Sequence, residues 1–325
     1  MRASKDPSFQ LTEVSSPRGG SPSAPAIWCA MGSVYLIWGS TYLAIRIAIE
    51  TLPPFLMAAI RFLIAGGILY LIRWLRGDAA ATRSEWSSAT IIGILLLVGG
   101  NGGVVWAEQR VASGVAALLV GTAPLWMVLI ESLNPTGRRP TQWAILGIIL
   151  GFVGIAVLIV PSQLTGQREE VDIIGASVLI FSSLSWATGS LYSRHATLPS
   201  SPLLGTAMEM LGGAAGLLLL SFLTGEFSRL TLANISTRSI GGMVYLIIFG
   251  SWVGLSSYTW LLRVAPTPLV FTYAYVNPVV AVLLGHLLAA EPLTVQIIIA
   301  ATIVVGSVAL TTISQQASFR SKRQQ

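Results

Sequence analysis

The sequence predicts an all-α membrane protein with ten transmembrane helices arranged as two inverted five-helix repeats. Charged residues make up only 10% of the 325-residue chain, and hydrophobic residues make up 54%. Soluble domains carry about 25% charged residues, so this composition indicates a polytopic membrane protein. The apolar residues are grouped in segments of about 20 residues, the length at which a helix crosses ~30 Å of hydrocarbon with its backbone groups paired.

The chain opens with a Ser-, Pro- and Gly-rich stretch, residues 1–25, which we expect to be a disordered cytoplasmic tail. The apolar run after it is too long for the core of a secretory signal and has no small-residue cleavage site. Ten apolar segments then follow, each bounded by turn-forming or charged residues. They are Ala26–Ile49, Pro54–Arg73, Ser87–Trp106, Ala112–Ser132, Thr141–Val160, Ile173–Tyr192, Pro202–Thr224, Ile240–Leu262, Pro266–Ala289 and Leu293–Ile313.

The division between the third and fourth segments is the weakest in the series, because only residues 107–111 separate them. The series as a whole predicts a first repeat over residues 26–160, a linker over 161–172 and a second repeat over 173–313. A basic cytoplasmic tail over residues 314–325 is expected to close the chain.

Basic residues set the predicted orientation, because the cytoplasmic loops of membrane proteins carry an excess of Lys and Arg. With the N-terminus inside, 13 of the 19 basic residues fall on the inner side, five fall on the outer side and Arg61 lies within a helix. Ten crossings return the C-terminus to the side on which the chain began. We therefore expect both termini to be cytoplasmic and the protein to lie in the cell membrane, either a plasma membrane or an inner membrane.

A shift of about 150 residues aligns the two halves of the chain. The aligned positions are Trp38 with Trp186, residues 59–63 with 207–211, Pro124 with Pro278 and Gly154 with Gly306. Each half has five spans, and because five is odd the second half enters the membrane from the opposite face. Inverted repeats of this kind suit alternating access around a central site.

Four stretches of the sequence resemble the EamA-type family of the drug/metabolite transporter superfamily. They are IWGSTYLAIR, PPFLMAAIRF, SGVAALLVGTAPL and YAYVNPVVAVLLG, and the resemblance extends over about Trp28 to Ile313. It implies a ten-helix fold with inverted five-helix repeats. It also implies transport of small metabolites, commonly export of amino acids, related compounds or drugs, and often in exchange for protons.

Two ionisable residues lie deep in predicted spans, where a charge is costly and marks a functional candidate. Arg61 in the second segment is expected to hold a carboxylate, and Glu209 in the seventh an ammonium group or a transported proton. A zwitterionic amino acid would satisfy both. The structural alternatives are that Arg61 snorkels or caps helix carbonyls and that Glu209 rests protonated against its neighbours.

Aromatic and polar side chains complete the candidate substrate site. Flat aromatic faces bind organic substrates or attract cations, and polar groups in hydrocarbon need partners. These further candidates are Trp38, Ser40, Asn101, Trp186, Tyr273, Tyr275 and Asn277. For the aromatics the alternative is packing or the interfacial belt, which is the assignment given to Trp106, Tyr258 and Trp260. For the polar groups the alternative is a helix–helix hydrogen bond.

Pro124 and Pro278 are the predicted hinges, because a proline inside a helix removes one backbone donor and frees the carbonyl four residues upstream. The freed carbonyl either binds a ligand or only permits a kink. Glycines predict close packing at two other places. They are Gly147-x-x-x-Gly151 with Gly154 in the fifth segment, and the glycine pairs on either side of Asn101 in the third.

The sequence lacks the motifs that are typical of several function classes. The chain has no GxxxxGK[ST] loop, no Gly-x-Ser-x-Gly elbow and no HExxH, and its one cysteine and two histidines form no ligand pattern. We therefore expect no catalytic residue, cofactor or metal, and no nucleic-acid partner, because no basic run is interleaved with aromatics. The expected partners are a small-molecule substrate, the lipid bilayer and protons as the coupling ion, whereas the oligomeric state is left open.

Proton-coupled export of small metabolites is the function that the sequence favours. The first alternative is an importer, or an exchanger of other small organic solutes such as phosphorylated sugars, which would require more basic residues within the spans. The second alternative is a membrane-embedded enzyme or a helper subunit. An enzyme would require paired carboxylates or histidine clusters in the spans, and a helper would not need inverted kinks.

Overall fold

The structure of the protein is a computed structural model that describes residues 23–133, 140–165 and 172–323. Within these ranges all regular secondary structure is helical. Most of the predicted N-terminal tail and part of the predicted linker lie outside the described residues. Helix begins at Ala24, and the last helix continues to Arg323, ten residues beyond the predicted end of the second repeat.

Residues 24–48 form one helical run, α1, made of Ala24–Ser33, Val34–Trp38 and Gly39–Ala48. The next seven helices are Pro54–Leu75 (α2), Arg83–Ala107 (α3), Ser113–Leu133 (α4), Gln142–Thr165 (α5), Ile173–Ser193 (α6), Pro202–Leu223 (α7) and Thr237–Val264 (α8). The chain then forms the shorter apolar helix Tyr273–Ala289 (α9) and ends in Val295–Arg323 (α10). Eight of these helices, α2 to α8 and α10, are long and apolar enough to cross a membrane.

The starts of these helices follow from local sequence signals. Pro54 and Pro202 occupy the first turns of α2 and α7, where the missing proline N–H would be unpaired in any case. Thr82 and Glu85 form a reciprocal capping box at the start of α3. The residue before α2 is Pro53, which has no side-chain cap to offer. That helix therefore depends on an acceptor from elsewhere in the chain.

Helices of the first half pack against helices of the second half, with α2 along α7, α4 along α9 and α5 along α10. The predicted close-packing face of α5 is confirmed. A Cβ at Gly147 would lie 2.8 Å from the carbonyl oxygen of Ser307, and one at Gly154 would lie 2.8 Å from Cγ2 of Val304. Both neighbours belong to α10, so glycine lets the two backbones approach closely.

The bundle has two ends, which we name after residues that join its helices there. At the Glu291 end, the carboxylate of Glu291 accepts hydrogen bonds from the first N–H groups of α4, and Glu226 accepts two from the first N–H groups of α2. At the Arg263 end, Arg263 donates a 3.0 Å hydrogen bond to the carbonyl of Pro199, and Arg73 forms an ion pair with Asp78.

Regular helix geometry is interrupted at corresponding places of the two halves. α4 is broken by a turn at residues 121–122, directly before the predicted hinge Pro124, and a turn at residues 271–272 precedes α9. Pro278 lies inside α9, and a Cβ at Gly121 would be 3.0 Å from its Cγ. The two irregular segments are therefore in contact. The carbonyl of Val120, predicted to be freed by Pro124, accepts a 3.2 Å hydrogen bond from Ser183.

Candidate functional site

A cavity lies inside the bundle, among residues of α1, α2, α3, α4, α6, α8 and α9. We call it the central cavity. Six of the nine residues predicted to bind substrate line it, namely Trp38, Arg61, Asn101, Trp186, Tyr273 and Asn277. These residues lie far apart in the sequence, and both halves of the chain contribute to the wall.

Arg61 provides the positive charge of the central cavity. The side chain is buried, with only 3% of its surface exposed, and its Nε donates a 2.9 Å hydrogen bond to Oγ of Ser251. Its guanidinium carbon lies 4.6 Å from the centre of the Phe62 ring. Nη1 has no hydrogen-bond partner among the described residues. A buried cation with an unpaired donor at a cavity wall is suited to an anionic group of a bound solute, because such a solute supplies both the charge and the acceptor.

Three π-helical stretches border the central cavity. They are Val34–Trp38 in α1, Ile94–Gly102 in α3 and Leu246–Leu255 in α8. π-Helical turns are uncommon and are found frequently at functional sites, because they widen a helix and redirect its side chains. Each of these stretches supplies the cavity wall with residues.

Asn101 lies within the π-helical stretch of α3, and its buried Oδ1 has no partner among the described residues. The glycines beside it allow other helices to approach closely, as the sequence predicts. A Cβ at Gly100 would lie 2.8 Å from Cε3 of Trp186, and one at Gly102 would lie 2.9 Å from Cδ2 of Leu217. The amide oxygen of Asn101 is thus a second unpaired polar atom near the cavity.

An aromatic cluster forms one side of the central cavity and consists of Trp38, Trp186, Tyr258, Phe271 and Tyr273. The ring of Trp38 lies 5.3 Å from that of Trp186, 4.8 Å from that of Tyr258 and 5.5 Å from that of Tyr273, measured between centroids. Aromatic pairs at these separations stabilise one another beyond the area that they bury. The cluster therefore forms a tightly packed wall of rings drawn from α1, α6, α8 and α9.

Tyr258 corrects an interpretation made from the sequence. Its position near the end of a span suggested the interfacial belt, but the side chain has 0% exposure and lies within the aromatic cluster. Its hydroxyl accepts a 3.1 Å hydrogen bond from Nε1 of Trp186 and lies 2.6 Å from Oγ of Ser190. The position of a residue along a helix axis gives its depth in the membrane, whereas its burial depends on which face of the helix carries it.

Glu209 lies in a different cavity, near the Arg263 end. It is 2% exposed, and its Oε2 has no partner among the described residues. Arg263 also lines this second cavity but donates to the carbonyl of Pro199. Leu262, one helical turn after Tyr258, lines it as well. Trp38, Trp186 and Tyr273 line the central cavity and the cluster residue Tyr258 lies one turn from Leu262 of the second, so we infer that the aromatic cluster separates Arg61 from Glu209.

The two remaining predicted residues, Ser40 and Tyr275, have structural contacts. Ser40 donates 2.7 Å to the carbonyl of Ile37 and lies 2.6 Å from the hydroxyl of Tyr245, outside the central cavity. Tyr275 donates 3.1 Å to the carbonyl of Val308, which ties α9 to α10.

Asn277 lines the central cavity and also joins α9 to α1. When the amide of Asn277 is oriented so that its nitrogen faces acceptors, Nδ2 donates to the carbonyls of Tyr273, at 3.2 Å, and Tyr35, at 3.0 Å.

The wall of the central cavity also contains residues that the sequence did not single out. Tyr42 of α1 and Gly250 of α8 line the cavity. Trp38 donates a 3.3 Å hydrogen bond to the Gly250 carbonyl. Among the described residues no group of three His, Cys, Asp or Glu could hold a metal ion. The site can bind a solute through one cation, the unpaired amide oxygen of Asn101 and aromatic faces.

Comparison with protein families finds one family along both halves of the chain. The description of the family is "EamA-like transporter family", and its sequence profile matches residues 25–160 and, separately, residues 173–313.

Two relatives show how far the similarity extends. The chain is 39% identical over 290 residues to an "Uncharacterized inner membrane transporter YedA" of Escherichia coli strain K12, covering 88% of this chain and 90% of that protein. It is 25% identical over 272 residues to an "Uncharacterized transporter" of Archaeoglobus fulgidus, covering 83% of this chain and 92% of that protein.

A solved crystal structure has the same fold. It superimposes with a TM-score of 0.63 over 89% of this chain and 98% of the solved chain, at 21% sequence identity. At this identity the likeness concerns the fold alone. It places the helices described above in an arrangement that also occurs in an experimentally determined protein.

Proposed function

Because the chain belongs to the EamA-like transporter family, and is therefore an integral membrane transporter, we propose that it is a secondary exporter of small metabolites. The proposed substrates are amino acids, related compounds or drugs, moved by alternating access and coupled to protons. The Escherichia coli relative is named an inner membrane transporter, and we propose the same membrane for this chain.

The proposed architecture has ten crossings in two inverted repeats. Eight helices are long and apolar enough to span. We add α1, which is 25 residues long in its three pieces, and α9, which is short because a turn precedes it. The separate matches of the family profile to residues 25–160 and 173–313 support a repeat, with the predicted boundaries 26–160 and 173–313. With the N-terminus inside, the Glu291 end faces outward and the Arg263 end faces the cytoplasm.

The observation that carries this proposal is the aromatic cluster between two cavities. Arg61 lies in the central cavity and Glu209 in the cavity at the Arg263 end, and the rings of Trp38, Trp186 and Tyr258 lie between them. A carrier needs a binding site that is closed toward one side of the membrane at a time. In the proposed orientation, the aromatic cluster closes the central cavity toward the cytoplasm.

We assign substrate binding to the central cavity. Nη1 of Arg61 is placed to hold a substrate carboxylate, while Trp38, Trp186 and Tyr273 offer ring faces to its organic part. An ammonium group, if the substrate has one, would find amide oxygen at Asn101 and ring faces for a cation–π contact.

We assign proton coupling at the cytoplasmic side to Glu209. Its carboxylate is buried, Oε2 is unpaired among the described residues, and the nearby Arg263 is engaged by the Pro199 carbonyl. A buried acid beside a solvent-sized cavity can exchange a proton as access changes. The turn before Pro124 and the helix at Pro278, in contact through Gly121, are the proposed hinges.

Counterflow in proteoliposomes tests the proposal. Vesicles are loaded with one unlabelled amino acid or drug from a panel, and uptake of the labelled compound is measured at equal pH on both sides. Transient accumulation that depends on the loaded substrate would support a carrier, and an imposed pH gradient should then drive net movement. Transport that occurs without exchange, or chemical conversion of the compound, would contradict the proposal.

A further inference from the structure

A buried acid at the Glu291 end takes no part in the function proposed above. Glu108 directly follows the last residue of α3 and has 0% of its surface exposed. Neither of its carboxylate oxygens has a hydrogen-bond partner among the described residues. An ionised carboxylate in such a place is strongly disfavoured, because it loses its hydration and gains no donor.

The nearest charged groups do not supply that donor. Arg46 of α1 donates to the main-chain carbonyl of Glu108 and not to its carboxylate. Glu291 adds negative charge, and its two oxygens already accept hydrogen bonds from the backbone nitrogens of Ser113, at 2.8 Å, and Gly114, at 3.1 Å. The nearest cation of Glu108 is therefore hydrogen-bonded to its main chain, and the nearest acid already accepts two hydrogen bonds.

The electrostatic setting favours the neutral form of Glu108. Burial raises the pKa of the Glu108 carboxyl well above its usual value, and the charge of Glu291 raises it further, whereas the charge of Arg46 opposes the shift. Glu108 also caps the C-terminal end of the helix Gly103–Ala107, where the partial negative charge of the helix disfavours an anion.

Other titratable and polar groups around this end have different partners or roles. Arg110, two residues on, pairs with Asp172 at 3.4 Å, and His286 lies 2.9 Å from the main-chain carbonyl of Glu291. Tyr42 of α1 lies within electrostatic reach of Glu108 and lines the central cavity. Ser113 is fully buried and its Oγ is unpaired among the described residues, so it is an available hydroxyl at this end.

Glu108 continues the face of α3 that lines the central cavity. Leu97, Asn101 and Val104 line the cavity at intervals of three or four residues, and Glu108 follows Val104 by four. Residues at this spacing lie above one another on one face of a helix. The acid is thus one helical turn beyond the cavity wall, on the side away from Glu209.

We propose that Glu108 is a second proton-binding site of the transporter, which takes up its proton from the outer side and is protonated in the conformation described here. The inference rests on the proposed function for its orientation and its role in coupling. The step is a simple protonation, in which a carboxylate and a proton form a carboxylic acid and no other bond changes. Glu108 then serves the outer side and Glu209 the cytoplasmic side of the aromatic cluster.

Infrared difference spectroscopy of the purified full-length protein tests proton occupancy directly. The carbonyl stretch of a protonated carboxyl should be present in the wild type near neutral pH, should disappear on titration to alkaline pH, and should be absent from that position in Glu108→Gln. The matched control is Glu226→Gln, which changes a buried acid at the same end whose oxygens both accept backbone N–H groups. Its spectrum should retain the Glu108 band.

Three infrared results would overturn the proposal. One is a spectrum of Glu108→Gln that superimposes on the wild type. Another is loss of the band when sodium chloride replaces choline chloride at constant pH, because the site would then hold a metal cation. If Glu108→Gln does not purify as a monodisperse protein, Glu108→Asp is measured instead, and a band with an unchanged frequency and pH midpoint would be the third.

Transport measurements separate this inference from the proposed function. In proteoliposomes, stimulation of transport by a pH change on the outer face should fall from several-fold in the wild type to about one-fold in Glu108→Gln. Full stimulation in that variant contradicts the role of Glu108 in coupling. Absence of counterflow in the wild type contradicts the proposed function instead, and the infrared experiment still decides whether Glu108 carries a proton.

Discussion

The hydroxyl of Tyr258 accepts a 3.1 Å hydrogen bond from Nε1 of Trp186, which joins α8 to α6 at the centre of the aromatic cluster. The same hydroxyl lies 2.6 Å from Oγ of Ser190. One buried oxygen thus holds two groups of the neighbouring helix in place. Because the cluster separates two cavities, this bond bears on both stability and access.

Tyr258→Phe should lower the free energy of unfolding by about 1–3 kcal/mol, because it leaves the buried indole N–H of Trp186 without its acceptor. Thermal unfolding of the detergent-solubilised protein measures the change. Tyr192→Phe is the control, since that side chain is exposed and should have almost no effect. Equal melting temperatures for wild type and Tyr258→Phe would show that the bond contributes little.

Arg61→Ala should weaken the binding of carboxylate-bearing substrates by roughly 10- to 100-fold, the effect of losing one hydrogen bond to a charged group worth about 1.5–3 kcal/mol. Neutral or cationic substrates of similar size should lose much less. Competition in the counterflow assay measures both classes. Arg238→Ala, an exposed arginine, is the control, and equal losses for every substrate would indicate a folding role for Arg61.

Glu209→Gln should abolish transport driven by a pH gradient while the protein remains folded, because glutamine keeps the shape of the protonated acid and cannot exchange a proton. Uptake with and without an imposed gradient, compared with the melting temperature of the same preparation, measures this. Glu50→Gln changes an exposed acid and should behave like the wild type. Unaltered proton coupling in Glu209→Gln would remove this residue from the mechanism.

Gly147→Ala should destabilise the protein by about 1–3 kcal/mol, because the added methyl group would lie 2.8 Å from the Ser307 carbonyl oxygen in the packed α5–α10 interface. Gly306→Ala is the matched control in the same helix pair, since its Cβ would meet nothing within 4 Å. Alanine is favoured over glycine inside a helix by about 1 kcal/mol, so the control should be neutral or stabilising. Thermal unfolding of both variants tests whether the α5–α10 interface is tightly packed.

The stability of the protein should depend on the protonation of Glu108. Its pKa is raised in the folded state, so the folded protein binds this proton more tightly than the unfolded chain does. The stabilisation that protonated Glu108 contributes is fully present below the pKa of about 4.3 that it has in the unfolded chain. It is lost as the pH rises through the pKa that it has in the folded protein. Melting temperatures from pH 5 upward should fall less steeply for Glu108→Gln than for the wild type, and parallel curves would contradict the shift.

The depth at which the site residues lie within the apolar segments could be predicted from the sequence. Charge within an apolar segment identified Arg61 and Glu209, and the shift of about 150 residues related Trp38 to Trp186. Depth did not identify the helix face. Thr41 lines the central cavity and Ser40 does not, because adjacent residues of a helix point about 100° apart.

The π-helical stretches explain why most of the remaining geometry of the candidate site was not predicted. Each widens a helix by local backbone geometry that no residue pattern in Val34–Trp38 or Leu246–Leu255 indicates. The role of Tyr258 was missed for a related reason, since its burial depends on contacts with three neighbouring helices. The family resemblance was confirmed along both halves of the chain.

Two helix ends of the first half are completed by residues synthesised much later. The first N–H groups of α2 lack their acceptor until Glu226 is synthesised, 171 residues after Phe55. Those of α4 lack theirs until Glu291 is synthesised, 178 residues after Ser113. A nascent chain released after its first five helices would therefore expose unpaired backbone donors at these ends. Biogenesis of the protein must hold the early helices in the insertion machinery, or hydrate their ends, until the second half arrives.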